Sequence, residues 1–157
     1  MKNKLLIRIK NSTLIEILAV ILIVGFLAVA SAVALNSARM KARDEARAGD
    51  IAIIKRALTI YFKNSPTGYP ASTGECLRAG SGVGRELKDA KALSVVLADP
   101  LWPLAAPAQV NGVPKAGQMN FCYFYYSGVS DQFKISFFLE ADSRSGQAGI
   151  NVATQQP

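Results

Sequence analysis

Few residues in this chain can do chemistry. Glu16 is the one charged residue in an apolar run from Leu14 to Leu35. A carboxylate at the edge of a hydrocarbon span is costly and needs water or a positive partner. Solvation at headgroup level is one answer. Pairing with a positive group of a neighbouring subunit, such as a freed N-terminal amine, is the other. The chain has two cysteines, Cys76 and Cys122, and no histidine. That removes the commonest general base and the commonest metal ligand. Two thiolates cannot build a four-thiolate zinc site. If the domain lies outside the cytoplasm, the cysteines form one disulfide; otherwise they are two buried thiols. Closing the loop between them would contribute about 4 kcal/mol on the chain-entropy description.

Near the C-terminus, Glu140 and Asp142 lie close to Ser143 and Asn151. Oxygen ligands of this kind suit calcium. Their spacing matches no calcium-loop signature, and a solvated turn accounts for them as well. The sequence holds no Gly-rich phosphate loop, no Ser nucleophile motif and no thiol with a His partner. No catalytic site, resident metal or cofactor is therefore expected. Trp102 is the only Trp and reads as a loop aromatic covering the core rather than a ligand anchor.

These residues must be carried by a small set of elements. At 157 residues there is room for one membrane helix and one soluble domain of roughly 100 residues. As a helix, Leu14 to Leu35 would reach about 33 Å, enough to cross a bilayer core. Lys2, Lys4, Arg8 and Lys10 precede it with no acid, which orients the N-terminus inside and the C-terminus outside. The formal charge is +7; without those four, 14 basic residues face 11 acidic ones and the charge is +3. The soluble part is thus only mildly basic. The basic cluster after the span (Arg39, Lys41, Arg43 and Arg47) has no interleaved aromatics, so it reads as headgroup contact or helix packing rather than nucleic-acid binding.

Beyond the span, Ala38, Ala42 and Ala46, then Ile53 or Ile54, Ala57 and Tyr61, recur at helical intervals. Asp44, Glu45, Arg47 and Asp50 fall on the other faces, with Lys41 and Glu45 as an i,i+4 pair. Gly49 weakens the helix interior by about 1 kcal/mol relative to Ala. The Pro and Gly of residues 64–70 end the helix. Residues 71–118 connect, with one short helix carrying Val83, Leu87, Ala90, Leu93 and Leu97 and ending before Asp99-Pro100. Residues 119–126 and 132–140 read as paired strands with Phe133, Ile135, Phe137 and Leu139 on one face, joined by a turn at 127–131. A third strand is expected within 148–154. The expected division is a basic leader (1–11), a transmembrane or assembly helix (12–35), its soluble continuation (36–64) and a globular domain (65–157) with a connecting loop region at 71–118 and its sheet at 119–154. The expected fold class is α+β, a long N-terminal membrane-spanning helix packed on a small antiparallel β-sheet.

Asn11-Ser12-Thr13-Leu14-Ile15-Glu16, with a short basic leader before it and an apolar helix after it, resembles the class III signal of type IV pilins and type II secretion pseudopilins. Thr13, Leu14, Ile15 and Glu16 match the family pattern, while Asn11 stands at its Gly and Ser12 at its Phe. Residues 38–70, the short helix before Asp-Pro, and the Tyr-rich strand pair are also similar to pseudopilin sequence. The resemblance implies cleavage between Asn11 and Ser12 by prepilin peptidase and N-methylation of Ser12. It implies that Glu16 meets a neighbour's N-terminus during assembly. The implied partners are other pilin or pseudopilin subunits, the inner-membrane assembly platform and membrane lipid. The implied location is a single-pass membrane protein, then a periplasmic or extracellular filament. Two alternatives stand beside it: a minor pilin for DNA uptake or adhesion, and an uncleaved single-pass anchored domain.

Overall fold

A computed structural model describes residues 2–80, 82–104, 109–110, 113–114 and 121–155, with backbone alone for 2–12, 109–110 and 113–114. The chain divides into two compact units, Met1–Arg39 and Met40–Pro157.

The first unit is helical throughout its described length, as the start of α1 (Lys2–Asn64). Every side chain from Thr13 to Asn36 is exposed. The most apolar window has a mean hydropathy of 2.9, and none of it is buried. By length and composition this helix can cross a membrane.

The second unit is an α+β domain in which the C-terminal part of α1 packs on a four-stranded antiparallel sheet. The sheet order is β1 (Ser72–Cys76), β4 (Phe124–Val129), β5 (Gln132–Leu139), β6 (Gly149–Thr154). Ile51, Ile54, Ala57 and Leu58 of α1 meet Tyr123, Tyr125, Phe133, Ile135, Phe137 and Leu139 in one core. The alternation read from residues 132–140 holds. All four odd-numbered apolar residues of β5 face that core, whereas Phe138 packs with Phe121 elsewhere. The β4–β5 hairpin turns tightly, with Val129 opposite Gln132, so Gly128 falls within β4 rather than in the turn. Met119 and Asn120, read as strand, lie outside the described residues. Strand β6 pairs with β5 without a break from Thr154 to Gly149. A second small sheet pairs β2 (Gln109–Val110) with β3 (Val113–Pro114).

Helix α1 runs unbroken through Gly49 and stops at Asn64. Gly68 then adopts φ +87°, and a Cβ there would collide with the Ser130 carbonyl oxygen. That same carbonyl accepts the Tyr69 N–H at 2.7 Å, so only glycine lets the chain turn this close to the hairpin.

Two local expectations are corrected. The first concerns β1, an edge strand inside the stretch read as connecting. Its sequence, STGEC, lacks an apolar alternation. It is held instead by pairing with β4 and by the bond of Cys76 to Cys122. The second concerns α2 (Gly82–Asp89), which ends ten residues before Asp99. The Lys91 N–H bonds the Lys88 carbonyl and the Ala92 N–H bonds the Leu87 carbonyl. Lys91 sits at φ 54° between them. This is a Schellman stop with Lys where Gly is commonest. Leu93 reaches the core and Leu97 packs against it from irregular chain. At its other end α2 is capped from β1, where Glu75 Oε1 accepts the Val83 N–H at 2.6 Å.

Candidate assembly site and the buried charge cluster

Helix formation places Glu16 on the surface of the exposed apolar segment, one turn after Thr13. Asn11 and Ser12 lie on the backbone of α1, and their side chains fall outside the described residues. The helix thus presents an apolar surface interrupted near its start by one carboxylate, in continuous chain with the core-forming residues Ile51 to Leu58.

Cys76 and Cys122 form a disulfide with Cα atoms 5.6 Å apart. It joins the end of β1 to the residue two before β4, beside the Leu77 N–H bond to the Tyr123 carbonyl at 2.9 Å. Tyr123 and Tyr125 are fully buried, and their hydroxyls donate to Asp50 Oδ2 at 2.6 Å and to the Pro70 carbonyl at 2.9 Å. Burial, then the Asp50 bond, pushes the Tyr123 hydroxyl above the usual 10. Burial does the same for Tyr125. Their hydroxyls are spent on the domain's own groups. Trp102 is half-buried, with the Arg78 guanidinium 4.9 Å from its ring centroid.

The largest surprise is Arg47. It was read as a solvated or membrane-facing cation, yet its side chain is 0 % exposed. Its Nε and Nη2 donate to the two oxygens of Asp99 at 2.8 and 3.0 Å. Its Nη1 donates to Asp44 at 2.7 Å and to Glu140 at 2.8 Å. The Phe121 ring lies 5.4 Å away. Arg43 forks onto Glu140 through Nε at 2.7 Å and through Nη2. Asp44 also accepts the N–H groups of Glu140 and Ala141 at 3.0 and 2.9 Å. One guanidinium therefore ties α1, the loop after α2 and the end of β5. Arg43, Asp44 and Arg47 are thereby removed from the outward faces assigned to them, and Ala42 and Ala46 are exposed instead. Lys41 and Glu45 form no salt bridge, and the pair on this turn is Asp44–Arg47.

The sequence did hold a signal for this. Stepping back from Leu58, Ile54 and Ile51 at intervals of four and three lands on Arg47, Asp44 and Met40, so the buried face passes through the charges. What it could not show is that Asp99 and Glu140, 52 and 93 residues away, complete them.

Burial opposes the Arg47 charge, but the bonds to Asp99 and Glu140 outweigh it and raise its pKa. Glu140 is shifted the other way. The Arg43 hydrogen bond, helped by Arg47 and opposed by burial, holds it below the usual 4.5. A carboxylate with a depressed folded pKa adds stability above its unfolded value, and that stability is lost as pH falls through the folded value. Melting temperature, followed from pH 7 to pH 3 in detergent, should therefore drop mainly below pH 4.5. Glu140→Gln should flatten the drop, and identical acid slopes in the two proteins would assign it to other groups.

The two carboxylates considered for calcium are engaged elsewhere, and the Asn151 amide nitrogen is spent on the loop. Glu140 faces two guanidinium groups, where a cation would be repelled. Asp142 Oδ1 accepts the Ala148 N–H at 2.8 Å, and Asn151 Nδ2 donates to the Gln147 carbonyl at 2.7 Å. Among the described residues no group of three or more His, Cys, Asp or Glu is placed to hold a metal ion. Comparison with family models, curated proteins and solved structures gives no match.

Proposed function

We propose that the chain is a structural subunit of a type IV pilus or a type II secretion-like filament, held first in the membrane and then packed helix on helix. One observation carries the reading. A segment of 22 apolar-run residues with a single early carboxylate is fully exposed, and the same helix continues into the core of an antiparallel-sheet domain. An exposed apolar surface of this extent must be covered by lipid or by other copies. A carboxylate within it is tolerated in lipid only with a partner. A neighbour's N-terminal amine, freed between Asn11 and Ser12, has the right charge for Glu16. The disulfide supports a domain outside the cytoplasm, and the basic leader supports an inside N-terminus. The partners on this reading are prepilin peptidase, further copies or related subunits, the assembly platform and lipid.

Intact mass and N-terminal sequencing test processing in cells that contain prepilin peptidase. The expected product begins at N-methyl Ser12, and Glu16→Ala should reduce filament yield at least tenfold while leaving membrane insertion intact. A chain that still begins at Met1 would remove the processed-subunit route. It would favour the second reading, an uncleaved membrane-anchored domain, for which Asn11 at the family's Gly position speaks.

A further inference from the structure

Two adjoining hollows, of about 540 and 500 Å³, share Phe133 and Gln155. The first is lined by Lys55, Arg56 and Lys63 of α1 and the second by Lys134 of β5. Among the described residues no carboxylate lines either one, and none of the four cations forms a salt bridge. Outside the leader the chain carries only +3, so four unpaired cations in one place are a concentration and not the background. A cleft lined by one sign of charge focuses its field and gathers counter-ions. Around the hairpin these hollows adjoin a third, which shares Tyr69, Gly128 and Val129 with them and has Glu86 as its only charged lining residue. Glu86 would repel an anion, which confines the attractive surface to the side of α1 and β5.

Each basic hollow also holds one exposed ring. Phe62, 37 % exposed, lines the first, and Tyr126, 44 % exposed, lines the second. Phe62 packs on Tyr69 at 4.6 Å between centroids, and Tyr69 packs edge-on to Phe133 at 4.8 Å. Both backing rings are buried, so Phe62 stands on the core and does not swing free. Tyr126 lies directly opposite Lys134 in the β4–β5 register, with Thr154 beside Lys134 on β6.

We infer that the two hollows bind nucleoside phosphates, as neighbouring units of one single strand. A phosphate needs cations that no carboxylate has claimed, and a base needs an open ring to stack on; each hollow supplies both. Two such hollows in a row fit successive units of a polymer. The cluster at 39–47 lacks interleaved rings and spends Arg43 and Arg47 inside the domain. The fold builds the missing combination elsewhere, from residues that lie far apart in sequence. Stacking and phosphate contact read no base edge, so binding should be indifferent to sequence. The inference stands apart from the filament reading and holds equally for an anchored domain.

The test titrates the full chain in detergent with a labelled oligothymidylate, read by fluorescence anisotropy. The wild type should bind, and more weakly as salt rises. Arg56→Glu with Lys63→Glu should weaken binding at least tenfold. Lys41→Glu with Arg144→Glu makes the same charge change outside the hollows and should have a much smaller effect. Phe62→Ala and Tyr126→Ala should each weaken binding about tenfold while leaving the affinity for inorganic polyphosphate unchanged. All six side chains are exposed, so each variant should keep a folded domain, checked by its melting temperature. No binding by the wild type, or equal losses in the two charge-reversed proteins, would overturn the site. Unchanged affinity in both ring variants would make it a patch for any polyanion and overturn the nucleoside assignment. Thymidine monophosphate that competes as well as the oligonucleotide, nucleotide for nucleotide, would overturn the paired-unit arrangement. If the wild type holds no oligonucleotide and Arg56→Glu with Lys63→Glu instead lowers filament yield, the hollows receive another copy and the inference fails.

Discussion

Arg47→Met should destabilise the domain by about 3–5 kcal/mol, the usual cost of removing one partner from a buried ion pair. For a domain of roughly 100 residues that is a fall in melting temperature of about 12–40 °C. The cost arises from the groups left behind more than from the arginine. Glu140 keeps its fork to Arg43, and Asp44 keeps the N–H groups of Glu140 and Ala141. Asp99 has less to fall back on. It is 3 % exposed and, among the described residues, retains only the Leu101 N–H at 2.8 Å. Adding Asp99→Asn to Arg47→Met should therefore recover part of the loss, although Asp99→Asn alone weakens the wild type. That sign of coupling, read from a thermal double-mutant cycle in detergent, separates an orphaned charge from a packing defect. Additive losses would mean that Met simply fits the space badly.

The same cluster shows where reading from sequence stops. The hairpin of β4 and β5 was legible because Phe133, Ile135, Phe137 and Leu139 alternate and the pairing is local. The long helix was legible because its apolar run exceeds any core helix of a domain this size, and its end is marked by Pro66 and Pro70. The disulfide was the only pairing two cysteines allow. Arg47 was missed because burial of a charge depends on partners far along the chain, and periodicity assigns charges outward by default. Strand β1 was missed for a related reason. It has no apolar face of its own, and its position is dictated by β4 and by a covalent bond. The end of α2 was misplaced because Lys91 adopts a conformation that its residue type does not advertise.

Glu16 was legible as an anomaly, and its surroundings remain external to the fold. A carboxylate on an exposed apolar helix has no intramolecular partner among the described residues, and on the proposed function another chain supplies one. Arg47 is the internal counterpart, a charge whose partners are all supplied by its own domain. On the proposed function, one chain thus holds a charge satisfied by folding and a charge left for assembly, and that division lets the domain complete itself before the helix finds its neighbours.

Replacing both cysteines, Cys76→Ala with Cys122→Ala, should cost about 4 kcal/mol by releasing the closed loop in the unfolded chain. Against a total of about 5–15 kcal/mol for a domain of this kind, the loss is large enough to leave some of the protein unfolded at growth temperature. It should also be uneven. Strand β1 is an edge strand with a register shift between Ser72 and Glu75, and its Glu75 caps α2. Freed at Cys76, it should fray and take the start of α2 with it. The Arg47 cluster does not draw on β1 and should hold the end of β5 to α1. Hydrogen exchange on the full chain in detergent distinguishes these regions. Amides of residues 72–77 and 83–87 should lose protection first, whereas those of β5 and of α1 between Arg47 and Leu58 should follow the global stability. Uniform loss across the sheet would show that the bond acts only through the unfolded chain. Unchanged protection of β1 with a preserved melting temperature would show that the β4 ladder alone secures it.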